Sequence, residues 1–253
     1  MPAVSRLSVT PVKGLGLLHP DEIVLERSGV ADNRRFFLIG PTGRLFSGID
    51  HGPLVQIRPR YDAERDFLSL TFPDGSVVEE EIVLGEPVET EFYGRPVAGR
   101  VVAGQWAKAL SSYSGKGLRL VKADRPGDAC DVHVVTLLSE ESVAKLAARA
   151  GRDAVDGRRF RMLVGLAGGA PHEEDTWAGR EVQVGAALVR VLGPVPRCAT
   201  TTRDPSTGVR DLDTLRVIKE YRGLREGKKV DFGVYADVLE PGRVRVGDPV
   251  EPR

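Results

Sequence analysis

Glycine and proline interrupt this chain so often that long helices have little room to form. Twenty-nine glycines and seventeen prolines punctuate 253 residues. Glycine loosens the backbone and proline removes a donor while fixing φ, so each tends to end regular structure. The segments between them are short and rich in Val, Leu and Phe, a pattern that predicts many strands and few helices. Ser5 to Thr10 alternates like a half-buried strand and stops at Pro11-Val-Lys-Gly14. Further strands are expected over 22–26, 34–39, 54–57, 67–71, 76–83, 90–93 and 95–102, with Asp74-Gly75 as a hairpin turn.

The pattern shifts near Gly104. Trp106, Leu110 and Tyr113 recur at helical spacing. Val132 to Leu138 is a near-continuous apolar run, as expected of a buried central strand, and Ser139 is a good N-cap for a helix over 140–150. Arg158 and Arg159 should lead into a strand over 160–166, and 181–192 should return to strand. A helix is expected over 211–221, and 232–239, Pro241-Gly242 and 244–250 read as a closing hairpin. The expected fold class is mostly β with a few helices, in two units: 1–102, all β, and 103–253.

Thirty-six basic residues balance thirty-six acidic ones, so nothing in the charge argues for nucleic acid or an acidic membrane surface as partner. Two cysteines are too few for a disulfide framework, the N-terminus lacks a secretory apolar region, and no window is long and apolar enough to span a bilayer. The expectation is a cytoplasmic protein without a membrane span. No phosphate-binding loop, G-x-G-x-x-G, Gly-x-Ser-x-Gly elbow or zinc-ligand spacing is present.

The stretch richest in chemistry is Gly193-Pro-Val-Pro-Arg-Cys-Ala-Thr-Thr-Thr-Arg-Asp-Pro-Ser-Thr-Gly208. Proline stiffens the approach to Cys198, and Asp-Pro-x-x-Gly closes a turn beyond it. Arg197 stands next to the sulfur, and a thiolate is the form that attacks substrates or binds soft metals. A small apolar filler is the other reading, since free cysteine is often buried. Cys130 falls in a less constrained stretch and is expected to be dispensable. Basic residues also stand where strands begin or end: Lys13, Arg34-Arg35 and Arg158-Arg159-Phe160-Arg161. Together with the cysteine loop they suggest convergence on an anionic ligand.

Arg197-Cys-Ala-Thr-Thr-Thr-Arg-Asp-Pro-Ser-Thr-Gly208 resembles the signature of the MOSC family, in particular the branch of amidoxime-reducing components. Pro11-Val-Lys-Gly14, Arg35-Phe-Phe-Leu38, Leu137-Leu-Ser-Glu140, Phe160-Arg161, Glu174-Asp-Thr-Trp177, Phe232-Gly-Val-Tyr235 and Val246-Gly-Asp-Pro249 follow in family order. The resemblance implies a β-barrel MOSC domain after an N-terminal β-barrel-like domain. It also implies a molybdenum cofactor, molybdopterin with Mo, whose metal takes the Cys198 thiolate. Lys13, Gly14, Arg35, Arg161, Pro196, Arg197 and Tyr235 match cofactor-contacting positions; Asp131 and His133 fall where further contacts are expected. The implied activity is reduction of N-hydroxylated or N-oxygenated small molecules by oxygen-atom transfer. A separate electron-donor protein (ferredoxin, flavodoxin or a cytochrome-type reductase) is implied, because no ferredoxin-like cysteine cluster is present. Two other readings stay open: a metal-free cysteine persulfide carrier or transferase, and a non-catalytic carrier of the cofactor. Two stretches depart from the family pattern. Met162-Leu163 replaces Pro-Asn, and 46–53 lacks the usual arginine and glutamine.

Overall fold

Strand pairing in the computed structural model, which describes residues 1–253, separates the chain into two principal sheets that exchange strands. The first part of the chain forms β1 (Ala3–Leu7), β2 (Glu22–Leu25), β3 (Phe36–Ile39), β4 (Leu45–Phe46) and β5 (Arg58–Asp62). It continues through β6 (Phe67–Thr71), β7 (Val77–Glu81), β8 (Val83–Phe92) and β9 (Arg95–Ala103). Then come α1 (Trp106–Ser114), β10 (Arg119–Ala123), β11 (Val135–Ser139), α2 (Glu140–Arg149) and β12 (Val164–Ala167). Next are β13 (Glu181–Val184), β14 (Ala187–Pro196) and α3 (Thr214–Arg222). β15 (Asp231–Glu240), β16 (Gly242–Arg245) and β17 (Val250–Pro252) end the chain. The fold is mostly β with three helices, as the punctuation predicts.

A seven-stranded sheet runs β1-β12-β11-β15-β14-β13-β17. Its two ends meet through a bridge between Ala3 and Pro249, with the Val250 N–H donating to Pro2 O at 2.9 Å. Nearly closing a sheet in this way pairs edges that would otherwise be open. Twenty buried residues fill its interior, with Val135, Leu137, Val189, Val191, Val234 and Ala236 among them. The second sheet, β4-β3-β10-β9-β8, carries another core in which Phe36, Leu38, Trp106 and Leu120 are fully buried. β3 is buried at all four positions, so its run of Phe36-Phe37-Leu38-Ile39 packs on both faces and needs no polar alternation.

Local signals explain the helices. Ser139 caps α2, its Oγ accepting from the Ser142 N–H at 3.1 Å, with Glu140 and Glu141 in the first turn. Gly115 ends α1 at φ 67. Asp213 caps α3, so that helix starts at Thr214 rather than at 211.

Three expectations are corrected. Residues 54–57 are no strand: Gly52–Gln56 is a 3-10 turn, with proline in its first positions, where its missing donor is tolerated. Residues 157–160 also form a 3-10 turn, capped by Asp156, whose Oδ1 accepts from the Arg158 N–H at 2.9 Å. Arg161 follows at φ 52, and the strand begins only at Val164. The closing hairpin does not form either. β15 already has β14 and β11 on its two edges, so β16 pairs with β2 and β17 with β13.

Candidate functional site

The cysteine loop is held from three sides. Cys198 lies just beyond β14, in extended backbone, and its carbonyl accepts from the Thr201 N–H at 3.2 Å and the Thr201 hydroxyl at 3.0 Å. Thr201 also shares a hydrogen bond with Thr214 at 2.8 Å, which ties the turn over Ala199–Thr202 to α3. Asp204 Oδ1 accepts from the N–H groups of Ser206 and Thr207, and Gly208 takes φ 75. Gly208 meets Gly52 so closely that a Cβ built on Gly52 would stand 2.0 Å from Gly208 O. Arg203 bridges the same contact, donating to Gly208 O at 3.0 Å and Ile49 O at 3.1 Å. The thiol itself is exposed, so the filler reading of Cys198 does not hold.

It opens onto a cavity of about 300 Å³ that both halves of the chain line. Four cationic side chains reach it: Lys13, Arg34, Arg161 and Arg197. The Lys13 ammonium donates to Ala129 O at 3.0 Å and pairs with Asp131. Arg34 reaches the other Asp131 oxygen at 3.3 Å. Arg161 donates to Leu15 O at 2.7 Å, and Arg197 to Phe160 O at 2.6 Å while lying over the Phe160 ring. A fifth, Arg159, is buried and bidentate to Asp211 at 3.0 and 3.1 Å; its Nη1 also donates to Thr201 O at 3.2 Å. Arg159 therefore braces the cysteine turn.

Burial and mutual repulsion shape the charges. Burial pulls the Lys13 pKa down, against the pull of Asp131. Burial, with Arg34 nearby, lowers Arg161 to about 10, and burial lowers Arg197 to about 10; both stay cationic at neutral pH. Desolvation would raise Asp131, but Lys13 and Arg34 outweigh it and hold the carboxyl well below the usual range. Burial raises the phenol of Tyr235, keeping it a hydrogen-bond donor. His133 Nδ1 lies 3.0 Å from Asp237, and its ring is 5.3 Å from that of Tyr235.

Nine of the ten residues expected from the sequence line this cavity: Lys13, Gly14, Asp131, His133 and Arg161, then Pro196, Arg197, Cys198 and Tyr235. Arg35 does not. Its Nη1 donates to Ala123 O at 2.6 Å, and its neighbour Arg34 faces the cavity instead. Arg34, Tyr93 and Arg161 are three of only six non-glycine residues with left-handed φ, at 53, 50 and 52. Such backbone costs about 1 kcal/mol or more per residue and gathers at functional sites. Sequence reasoning missed Arg34 as the cavity-facing partner, and Tyr93, Thr136 and Thr200 altogether. The Arg34-Arg35 pair was a visible signal, but only the backbone turn chooses between the two. Leu163, at the position of the missing asparagine, is buried in the barrel core and offers no polar contact. Met162 lines the cavity, with its sulfur 3.4 Å from Arg197 Nη1. Cys130 is buried rather than in a loose loop, and burial pushes its thiol pKa up.

An anionic ligand that carries a soft metal fits these residues. Four cations face one carboxylate in the cavity, and the buried Arg197 Nε has no partner. A buried donor without an acceptor is costly, and an anion relieves that cost. The exposed thiol adds a soft donor at the same opening.

Residues 124–251 match the MOSC domain, and residues 1–113 match the MOSC N-terminal beta barrel domain. The chain is 28% identical to mitochondrial amidoxime reducing component 2 of Bos taurus, over 98% of this chain and 82% of that protein. It is 26% identical to mitochondrial amidoxime-reducing component 1 of Homo sapiens, over 88% of this chain and 74% of that protein. A shorter match, 29% identical, covers 41% of this chain and 14% of a molybdenum cofactor sulfurase from Oryza sativa subsp. japonica. Among solved structures, the YUAD protein from Bacillus subtilis aligns over 100% of this chain and 96% of that one, at TM-score 0.47 and 12% identity.

Proposed function

Because the chain belongs to the MOSC family, we propose that it is a molybdenum-cofactor oxidoreductase reducing N-hydroxylated or N-oxygenated small molecules, with Cys198 as the protein ligand to the metal. The observation that carries this reading is the exposed Cys198 thiol at a cavity where four cations face a single carboxylate. Lys13, Arg34, Arg161 and Arg197 would hold the anionic part of the cofactor by charge-assisted hydrogen bonds. Asp131 sets the spacing of Lys13 and Arg34, keeping two like charges side by side without a flexible approach. When bound, the cofactor supplies a two-electron centre that accepts an oxygen atom. The chain's part is to ligate through a soft thiolate, to orient, and to donate hydrogen bonds. Tyr235, protonated at neutral pH, presents a donor to the oxygen of an N–O group, and His133, positioned by Asp237, stands beside it.

Reduction of N–OH to N–H consumes two electrons and two protons and releases water. We assign the electrons to a separate redox protein of the ferredoxin, flavodoxin or cytochrome type. No helix is long and apolar enough to cross a membrane. The two relatives above are named mitochondrial, and a cytoplasmic location for this chain is a proposal that cell fractionation tests.

The test of the activity is turnover of an N-hydroxyamidine with a chemical reductant, by protein from a cofactor-producing host. Cys198→Ala should remove turnover and leave the melting temperature unchanged, the thiol being exposed and making only a 3.5 Å contact to Thr200. Turnover retained in that variant would rule out sulfur ligation. Sulfane sulfur on Cys198 in metal-free protein would favour the persulfide carrier instead.

A further inference from the structure

The mouth of the cavity is apolar although its interior is cationic. Three large hydrophobic side chains on its lining are exposed: Ile49 at 43%, Tyr93 at 64% and Val132 at 55%. They come from three separate segments: the loop after β4, the β8–β9 turn and the approach to β11. Exposed apolar residues scattered singly are ordinary, but several gathered at one cavity mark a binding surface.

Tyr93 is the most informative of the three. Phe92 pairs with Arg95, so Tyr93-Gly94 is a two-residue hairpin loop, with both residues left-handed at φ 50 and 86. That turn favours Asn, Asp or Gly at its first position, since their backbones tolerate left-handed φ. A tyrosine there strains the backbone and exposes an aromatic ring. Neither cost has a local return, because no hydrogen bond holds the phenol. Breaches of local rules of this kind fall at functional sites.

We infer that Tyr93, with Ile49 and Val132, forms a rim that selects substrates whose N–O head carries an apolar, preferably aromatic, body. The inference rests on the proposed reduction of N-oxygenated compounds and names the class among them. The polar head enters towards Cys198 and Tyr235, and the body stays between the three rim side chains. Tyr93 is a specificity-determining residue and takes no part in the chemistry.

The experiment is calorimetric titration of the cofactor-loaded protein, without reductant, with benzamidoxime and acetamidoxime. Both probes carry the same neutral head and differ in a phenyl against a methyl group. The wild type should prefer benzamidoxime by about tenfold, the gain from burying roughly 60 Å² of extra apolar surface. Tyr93→Asn restores the favoured turn residue, so its melting temperature should stay the same or rise and its molybdenum content should not change. Its preference for benzamidoxime should fall to within about twofold, acetamidoxime affinity being unaltered. Val132→Thr, nearly isosteric, should move the preference the same way by a smaller factor. Equal binding of both probes to the wild type, or a full preference retained in Tyr93→Asn, overturns the rim. Absence of binding by either probe overturns the substrate reading along with it.

Discussion

Arg34 and Arg35 are adjacent in the chain and have different surroundings. At Arg34 the backbone turns left-handed, φ 53, and sends the guanidinium to Asp131 and the cavity. Arg35, where φ is no longer positive, directly precedes β3; it donates to Ala123 O and stays outside. Arg34→Ala should therefore weaken cofactor retention by roughly ten- to hundredfold, the worth of one or two charge-assisted hydrogen bonds. The backbone costs nothing extra, since alanine and arginine share the same left-handed penalty, but loss of the ion pair to Asp131 should lower the melting temperature modestly. Arg35→Ala should leave retention near wild type. Dialysis of the two variants followed by metal analysis checks the pair, and the reverse order of losses would return the role to Arg35. Much of the site was legible in residue types: a cysteine between arginine and threonines, and lysine or arginine at strand ends. Which of two neighbouring arginines faces inward was not, because it depends on one dihedral angle. Tyr93 was hidden for the same reason.

Among the elements, the 3-10 turn over Glu173–Trp177, packed against β11, β14 and β15, should carry a pH response. His172 sits at the head of the 3-10 turn over Glu173–Trp177, with its ring 5.7 Å from Tyr221 and 5.6 Å from Phe232. Burial, with Arg222 and Lys145 nearby, lowers its pKa to about 4. A histidine depressed when folded binds its proton more readily when unfolded. Stability from this residue is therefore intact above about 6.5, the unfolded value, and is lost as pH falls towards 4. Glu174, raised by burial, acts in the opposite direction, so the informative quantity is a difference. His172→Asn keeps the left-handed backbone that asparagine tolerates. Its melting temperature should fall less than that of the wild type between pH 6.5 and 4.5; parallel curves would contradict the assignment. Strand and helix existence was largely readable from periodicity and caps, Ser139 above all. The 3-10 turns at 52–56 and 157–160 were not: Leu54-Val55 looks β-like, Phe160 reads as the start of an apolar strand, and only the tertiary setting bends the two segments.

At the scale of the whole molecule, the sequence units 1–102 and 103–253 are a proposal about organisation, and the sheets show how closely they depend on each other. β1 completes the barrel of the second part, and β10 lies between β3 and β9 of the first. Neither of the two principal sheets is whole in one piece alone, and each would be left with an unpaired edge. Residues 103–253 expressed alone should therefore be insoluble or unfolded by circular dichroism, whereas a soluble, cooperatively melting fragment would show that the second unit folds by itself. The mostly β class followed from glycine and proline spacing, but long-range pairing such as β1 with β12 left no local trace. The cavity lies where the two parts meet, with Lys13 and Tyr93 from one and Cys198 and Tyr235 from the other. The most direct test of the whole account is molybdenum content per chain in protein purified from a host with ample cofactor supply. The account predicts stoichiometric molybdenum in the wild type and its loss in Cys198→Ala combined with Arg34→Ala. A folded, full-length wild type free of molybdenum under those conditions would contradict it.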